Sequence, residues 1–140
     1  MKNSPINGVI IIDKDQGPTS HDIVDAMRKI LKTKKIGHTG TLDPAATGVL
    51  PMLIGKATKL SQFFIGSDKK YQATITLGVT TTTMDAMGDR VEKQPVDVTE
   101  EQLKTVIKTF IGEIEQLPPM YSAKRVNGKR LYELAREGKE

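Results

Sequence analysis

One carboxylate in this chain is set apart by its neighbours. Asp43 stands directly before a proline in the run Gly37-His-Thr-Gly-Thr-Leu-Asp-Pro44. The proline confines Asp43 to extended backbone angles and keeps it out of a helix. Gly37, Gly40 and Gly48 allow sharp bends and a close approach of backbone to a ligand. The loop thus has few bulky side chains and one aimed acid, and such an acid can serve as a nucleophile or as a general base. Its spacing is neither Gly-x-x-x-x-Gly-Lys-Ser/Thr nor Gly-x-Gly-x-x-Gly, so it is not a standard phosphate cradle. Asp-Pro also opens turns, and these two residues alone read as a plain turn.

The elements around this loop follow from periodicity. Gly8 to Asp13 is β-branched and short and reads as a buried strand. Lys14 to Pro18 breaks it, and Thr19 or Ser20 caps a helix with Asp22 near its positive end. Ile23, Val24, Met27, Ile30 and Leu31 give that helix one apolar face. Val49 to Ile54 is expected as a core strand, with Pro51 marking a bulge or an edge. Lys56 to Ile65 reads as helical, with Ala57, Leu60, Phe63 and Phe64 inward. Tyr71 to Val79 alternates as a strand, which by itself makes Tyr71 an inward aromatic.

Thr80 to Asp89 is a polar, turn-rich loop. Thr99-Glu-Glu-Gln102 is a capping box for a helix running to about Phe110, with Leu103, Val106, Ile107 and Phe110 on its apolar face. Gly112 to Gln116 is a candidate strand. Asn127-Gly128 signals a tight turn, and Leu131 to Arg136 a short helix ended by Gly138. Together these elements predict an α+β fold: a mixed, largely antiparallel sheet with packed helices.

Composition narrows the function classes. The chain has 140 residues, enough for one domain, with 37% hydrophobic and 27% charged residues. It has no cysteine and two histidines, which excludes disulfides and argues against a metal site. No apolar stretch is long enough to span a membrane, and the first residues form no signal peptide, so a cytoplasmic protein is expected. Net charge is +4. Basic residues gather at Arg28 to Lys35, Lys56 to Lys70 and Lys124 to Arg136, and acids between Glu92 and Glu115. That division fits a polyanion ligand, although each cluster alone reads better as a solvated helix surface.

Four stretches resemble the TruB family of RNA pseudouridine synthases. The longest is Gly37-His-Thr-Gly-Thr-Leu-Asp-Pro, continued by Gly48-Val-Leu-Pro and Gly55-Lys-Ala-Thr-Lys59. A second runs from Gln116-Leu-Pro-Pro-Met-Tyr-Ser-Ala-Lys to Leu131-Tyr-Glu-Leu-Ala-Arg. The third joins Lys70-Tyr71 to Leu77-Gly78, Thr80, Thr82, Asp85 and Gly88. The family's first motif is matched at Asp13, Lys14, Gly17, Thr19, Ser20 and His21, with Asp15 where the family has proline. That motif is expected to pack behind the aspartate loop, which makes Lys14 and His21 structural.

The resemblance implies a pseudouridine synthase fold, incomplete in this chain, and conversion of uridine to pseudouridine in the T loop of tRNA, conventionally position 55. The bond from uracil N1 to ribose C1′ breaks, the base turns, and C5 joins C1′, with no metal and no cofactor. Asp43 is then the catalytic residue, attacking the ribose or taking a proton from it, on a nucleotide flipped out of its stack. His38, Gly40 and Thr41 are implied to bind substrate, and Tyr71 to stack on the uracil. Lys124, Arg125, Lys129 and Arg130 are implied to grip RNA phosphates. The expected partner is the tRNA T stem-loop, with no obligatory protein partner. Residues 1–140 are expected to be the N-terminal portion of the catalytic domain, lacking its remainder and a small RNA-binding domain. The rival is a non-catalytic tRNA-binding fragment or an RNA chaperone.

Overall fold

A seven-residue apolar strand, β3 (Gly48–Ile54), organises the first half of the chain. In the computed structural model, which describes residues 6–122 and 124–138, it lies between two antiparallel neighbours. β1 (Gly8–Lys14) pairs with its full length, Gly8 opposite Ile54 and Lys14 opposite Gly48. β2 (Ile36–His38) pairs only with its end, His38 opposite Met52. Leu50, Met52 and Ile54 alternate onto one face. The helix α1 (Ser20–Leu31) covers that face with Val24 and Met27, and Ile36 and Leu42 complete the buried cluster. Deleting a side chain as well enclosed as Met52, 0% exposed, costs about 2–5 kcal/mol.

Pro51 is tolerated in this central strand for a local reason. A residue's N and carbonyl face the same neighbour, and the Pro51 carbonyl accepts from Thr39 N–H at 3.2 Å. Thr39 lies just past the end of β2, so the missing N–H of Pro51 falls where that ladder has already stopped. The expected bulge or edge is therefore corrected to a central strand with a short neighbour. β1 is an edge instead, and Val9, Ile10 and Ile11 are exposed rather than buried. Ile30 also lies outside the core, 72% exposed at the rim of α1.

After β3 the chain makes a 3-10 helix (Gly55–Leu60) and a short helix α2 (Ser61–Ile65) in place of one continuous helix. Gly55 turns into it at a φ of 61°, where a side chain would collide with Asn7 and the Ile6 carbonyl. Of the four residues expected inward, Leu60 and Phe63 are exposed and Ala57 and Phe64 are half-buried.

By its contacts the chain divides into two units, Met1–Gln72 and Ala73–Glu140. The second unit has two hairpins, β4 (Val79–Thr81) with β5 (Arg90–Lys93), and β6 (Arg125–Val126) with β7 (Lys129–Arg130). Its helices are α3 (Glu100–Lys108), started by the Thr99–Gln102 capping box, and α4 (Leu131–Arg136). Two expected strands are absent. Residues 71–77 and 112–116 are in no strand, because alternation supplies a face but no second backbone, and no segment pairs with them among the described residues. The apolar face of α3 is exposed for the same want of a partner, with Phe110 just beyond it 65% exposed. The architecture is α+β, and every strand pair among the described residues is antiparallel.

Candidate active site

The aspartate loop connects β2 to β3, and its backbone is held residue by residue. Leu42 is buried with the core, and both its polar backbone groups meet one hydroxyl. Its N–H donates to Ser20 Oγ at 2.9 Å, and Ser20 Oγ donates to its carbonyl at 3.0 Å. The Asp43 carbonyl accepts from Ala46 N–H at 3.0 Å, closing a β-turn with Pro44 second in it. The Pro44 carbonyl accepts from Gly17 N–H at 2.8 Å. Asp43 is a turn residue and an exposed acid at once: its backbone is fixed on both sides while its side chain faces solvent.

The first motif braces this loop as expected. Thr19 is the helix cap, accepting from Asp22 N–H at 3.1 Å, which leaves Ser20 to hold Leu42. The Thr19 hydroxyl, then the Thr19 backbone N–H, hold the Asp22 carboxyl below its ordinary value. Lys14 is 1% exposed, and its ammonium donates to the carbonyls of Asp15 and Pro18, each at 2.9 Å. It thereby folds the connection that carries Gly17. His21 does not share this bracing. Its side chain is 67% exposed, with Asp25 at 4.0 Å. Sequence reasoning placed Ser20 in this motif as a candidate cap and missed its bond to Leu42; the signal was a second hydroxyl beside the cap.

An open groove of about 960 Å³ runs along the loop. Gly40, Thr41 and Leu42 line it, as do Ala45, Lys69 and Tyr71. Leu42 and Ala45 bracket Asp43-Pro44 in the chain. The Tyr71 ring is no core aromatic: the residue is 68% exposed. Lys69 donates to the carbonyls of Ile65 and Ser67 at 3.0 and 2.8 Å, capping the end of α2. Its Cε would lie 3.9 Å from a methyl placed on Gly40, so the two walls of the groove nearly touch there.

His38 ends β2 half-buried, with Nδ1 at 2.7 Å from the Gly40 carbonyl. A carbonyl only accepts, so Nδ1 carries the hydrogen and Nε2 of the neutral ring is left as an acceptor.

Asp43, His38, Gly40, Thr41 and Tyr71 all belong to the first unit. The four basic residues belong to the second. Asn127 and Gly128, at φ 50° and 84°, make the tight turn of their hairpin, and Gly128 meets a requirement that a branched residue resists. Lys124, Arg125, Lys129 and Arg130 are exposed. Lys129 pairs with Glu137 at 3.4 Å, and Arg130 donates to the Tyr132 hydroxyl at 2.7 Å. That hydroxyl holds the Arg130 guanidinium above its ordinary value. Among the described residues no three of His, Asp and Glu cluster to hold a metal, and no helix is long and apolar enough to cross a membrane.

Residues 28–140 match the family model described as TruB family pseudouridylate synthase, N-terminal domain. The tRNA pseudouridine synthase B of Bacillus cytotoxicus is 53% identical over 137 residues, covering 96% of this chain and 45% of that protein. The synonymous enzyme of Staphylococcus saprophyticus is 53% identical over 133 residues, covering 93% and 44%. The chain thus spans less than half the length of these curated relatives. Among solved structures, a Cbf5-Nop10-Gar1 complex matches with a TM-score of 0.57 and 36% identity, over 84% of this chain and 31% of that one. An H/ACA RNP bound to a substrate RNA containing 2′-deoxyuridine matches at 0.53 and 35%, over 78% and 29%.

Proposed function

The chain belongs to the TruB family of pseudouridylate synthases, and from that membership we propose that its protein isomerises uridine to pseudouridine in tRNA, at position 55 of the T loop. The observation that carries this reading is the contrast at residues 42 and 43. Leu42 is buried and bound at both backbone groups, and the next residue offers its carboxylate to solvent, between two residues that line the groove. A fixed backbone under an accessible acid is what in-line work on a ribose needs.

The target nucleotide leaves its stack and enters the groove, where the exposed Tyr71 ring takes the uracil face. Gly40 and Thr41 admit the backbone closely, and His38 presents its Nε2 acceptor. Asp43 then acts as nucleophile at the sugar or removes a proton from it. The N1–C1′ bond breaks, the base turns between loop and ring, C5 bonds C1′, and the C5 proton is lost as N1 gains one. No atom is added or removed, so no co-reactant is called for. Lys124, Arg125 and Arg130 supply phosphate contacts from the second unit, which set register and not sequence. With tRNA as the proposed substrate, we infer a cytoplasmic reaction.

The test is a T-stem-loop RNA incubated with the protein and analysed for pseudouridine. Asp43→Asn removes the charge and nearly keeps the shape. It should abolish turnover and leave RNA binding within a few-fold. Turnover near wild type in that variant overturns the assignment. RNA that is bound by the wild type and never isomerised decides for a binding-only protein.

A further inference from the structure

Tyr132 carries two guanidiniums. The Arg130 Cζ lies 5.7 Å from its ring centroid and the Arg136 Cζ 5.5 Å, both within cation–π reach. Its hydroxyl oxygen also accepts from Arg130 Nη1. Residues 132 and 136 are four apart on α4, so they share one face, while Arg130 arrives from β7. The ring has a fixed base. Tyr132 N–H donates to the Ser122 carbonyl at 3.1 Å, Leu131 N–H donates to the Lys124 carbonyl at 2.9 Å, and Leu131 is 8% exposed.

The charges around the ring are not closed into ion pairs. None of the ion pairs among the described residues involves Arg130 or Arg136. Glu133 accepts from the backbone N–H of Arg130, and its charge also favours that guanidinium without pairing with it. Lys129 differs, since Glu137 neutralises it. Two guanidiniums bound to one ring are at most about 11 Å apart, and they repel. An anion that meets both removes the repulsion. A nucleic-acid backbone offers phosphates at closer intervals than that, and a guanidinium takes a phosphate with two parallel N–H bonds.

We propose that Tyr132 is a positioning residue that holds Arg130 and Arg136 as a paired grip for RNA phosphates, with Arg136 outranking Lys129 as a phosphate contact. The inference rests on the RNA-modifying reading above and names residues that act in it. Arg136 belongs to the basic cluster of residues 124–136, and the ring contact singles it out there.

The experiment is the dissociation constant of a T-stem-loop RNA for the intact protein over a range of salt, with the thermal midpoint of each variant alongside. Arg136→Gln should weaken binding and lower the slope of log K against log salt by roughly 0.7–0.9 unit, the share of one phosphate. Lys129→Gln should lower it less. Tyr132→Leu removes no charge, yet it should lower the slope by a similar amount because both guanidiniums lose their platform. Tyr132→Phe keeps the ring and should keep most of the slope. A tyrosine that only supported the fold would lower the midpoint and leave the slope of the folded protein unchanged, and that result overturns the proposal. A wild-type slope in Arg136→Gln overturns it too, and decides the matter if Tyr132→Leu does not fold. Altered slopes without pseudouridine formation sink the enzymatic reading and keep the grip. Unaltered slopes with pseudouridine intact sink the grip alone.

Discussion

Ser20→Ala is the sharpest test of how the aspartate loop is held. Ser20 is 2% exposed, and its one oxygen satisfies both the N–H and the carbonyl of Leu42. Alanine fits the space and leaves both groups unbonded in a buried setting. An unsatisfied buried group costs about 1–3 kcal/mol. Taking the lower half of that range for each, since the loop is near solvent, the pair costs ~2–4 kcal/mol. At about 3–4 °C per kcal/mol for a chain of this size, the thermal midpoint should fall by roughly 6–16 °C. The rate should fall as well. Leu42 precedes Asp43, and a shift of about 1 Å in a reacting group costs on the order of a hundredfold. Thr19→Ala is the control, one residue away. It loses the helix cap, worth about 1 kcal/mol, and touches nothing in the loop. Calorimetry with single-turnover assays on T-stem-loop RNA separates the two. Ser20→Ala with an unmoved midpoint and full rate refutes the reasoning. So does Thr19→Ala with an equal loss of rate per folded molecule.

Two further predictions concern the groove and the cap. Tyr71→Leu should depress the single-turnover rate far more than the thermal midpoint, since the residue is 68% exposed and contributes little to the core; Tyr71→Phe should keep most of the stacking. If Leu lowers the midpoint and spares the rate, the ring is structural after all. Asp22 has a folded pKa depressed by its bonds to Thr19, so its contribution is present above the unfolded value and lost as pH falls through the folded one. Thermal midpoints below roughly pH 4 should therefore drop, and Asp22→Asn should flatten that acid limb; an identical limb in the variant removes Asp22 as its source.

What sequence could supply was local. The capping box at Thr99 and Gln102, the Asn127-Gly128 turn and the cap at Thr19 each sit within four residues of the bond they make, and all three formed. What it could not supply was partnership over distance. Pro51 sits in a central strand because β2 ends early, a fact about residue 38 and not about residue 51. Ser20 reaches Leu42 across 22 positions. Arg136 belonged to a basic cluster from the start, but only the ring of Tyr132 distinguishes it from its neighbours.

Residues 71 to 77 show the limit most clearly. Their alternation of Tyr71, Ala73, Ile75 and Leu77 is a statement about two faces, and a strand needs a second backbone before either face means anything. Without one, Ile75 is 80% exposed and the segment is irregular. Tyr71 escapes the ambiguity because something else positions it. Lys69, two residues earlier, is tied by its ammonium to the end of α2 and lines the same groove as Gly40, Thr41 and Tyr71. The ring therefore shares a groove with the aspartate loop through the segment before it and not through the pattern after it. Periodicity, which made Tyr71 an inward residue, was reading the wrong side of the chain.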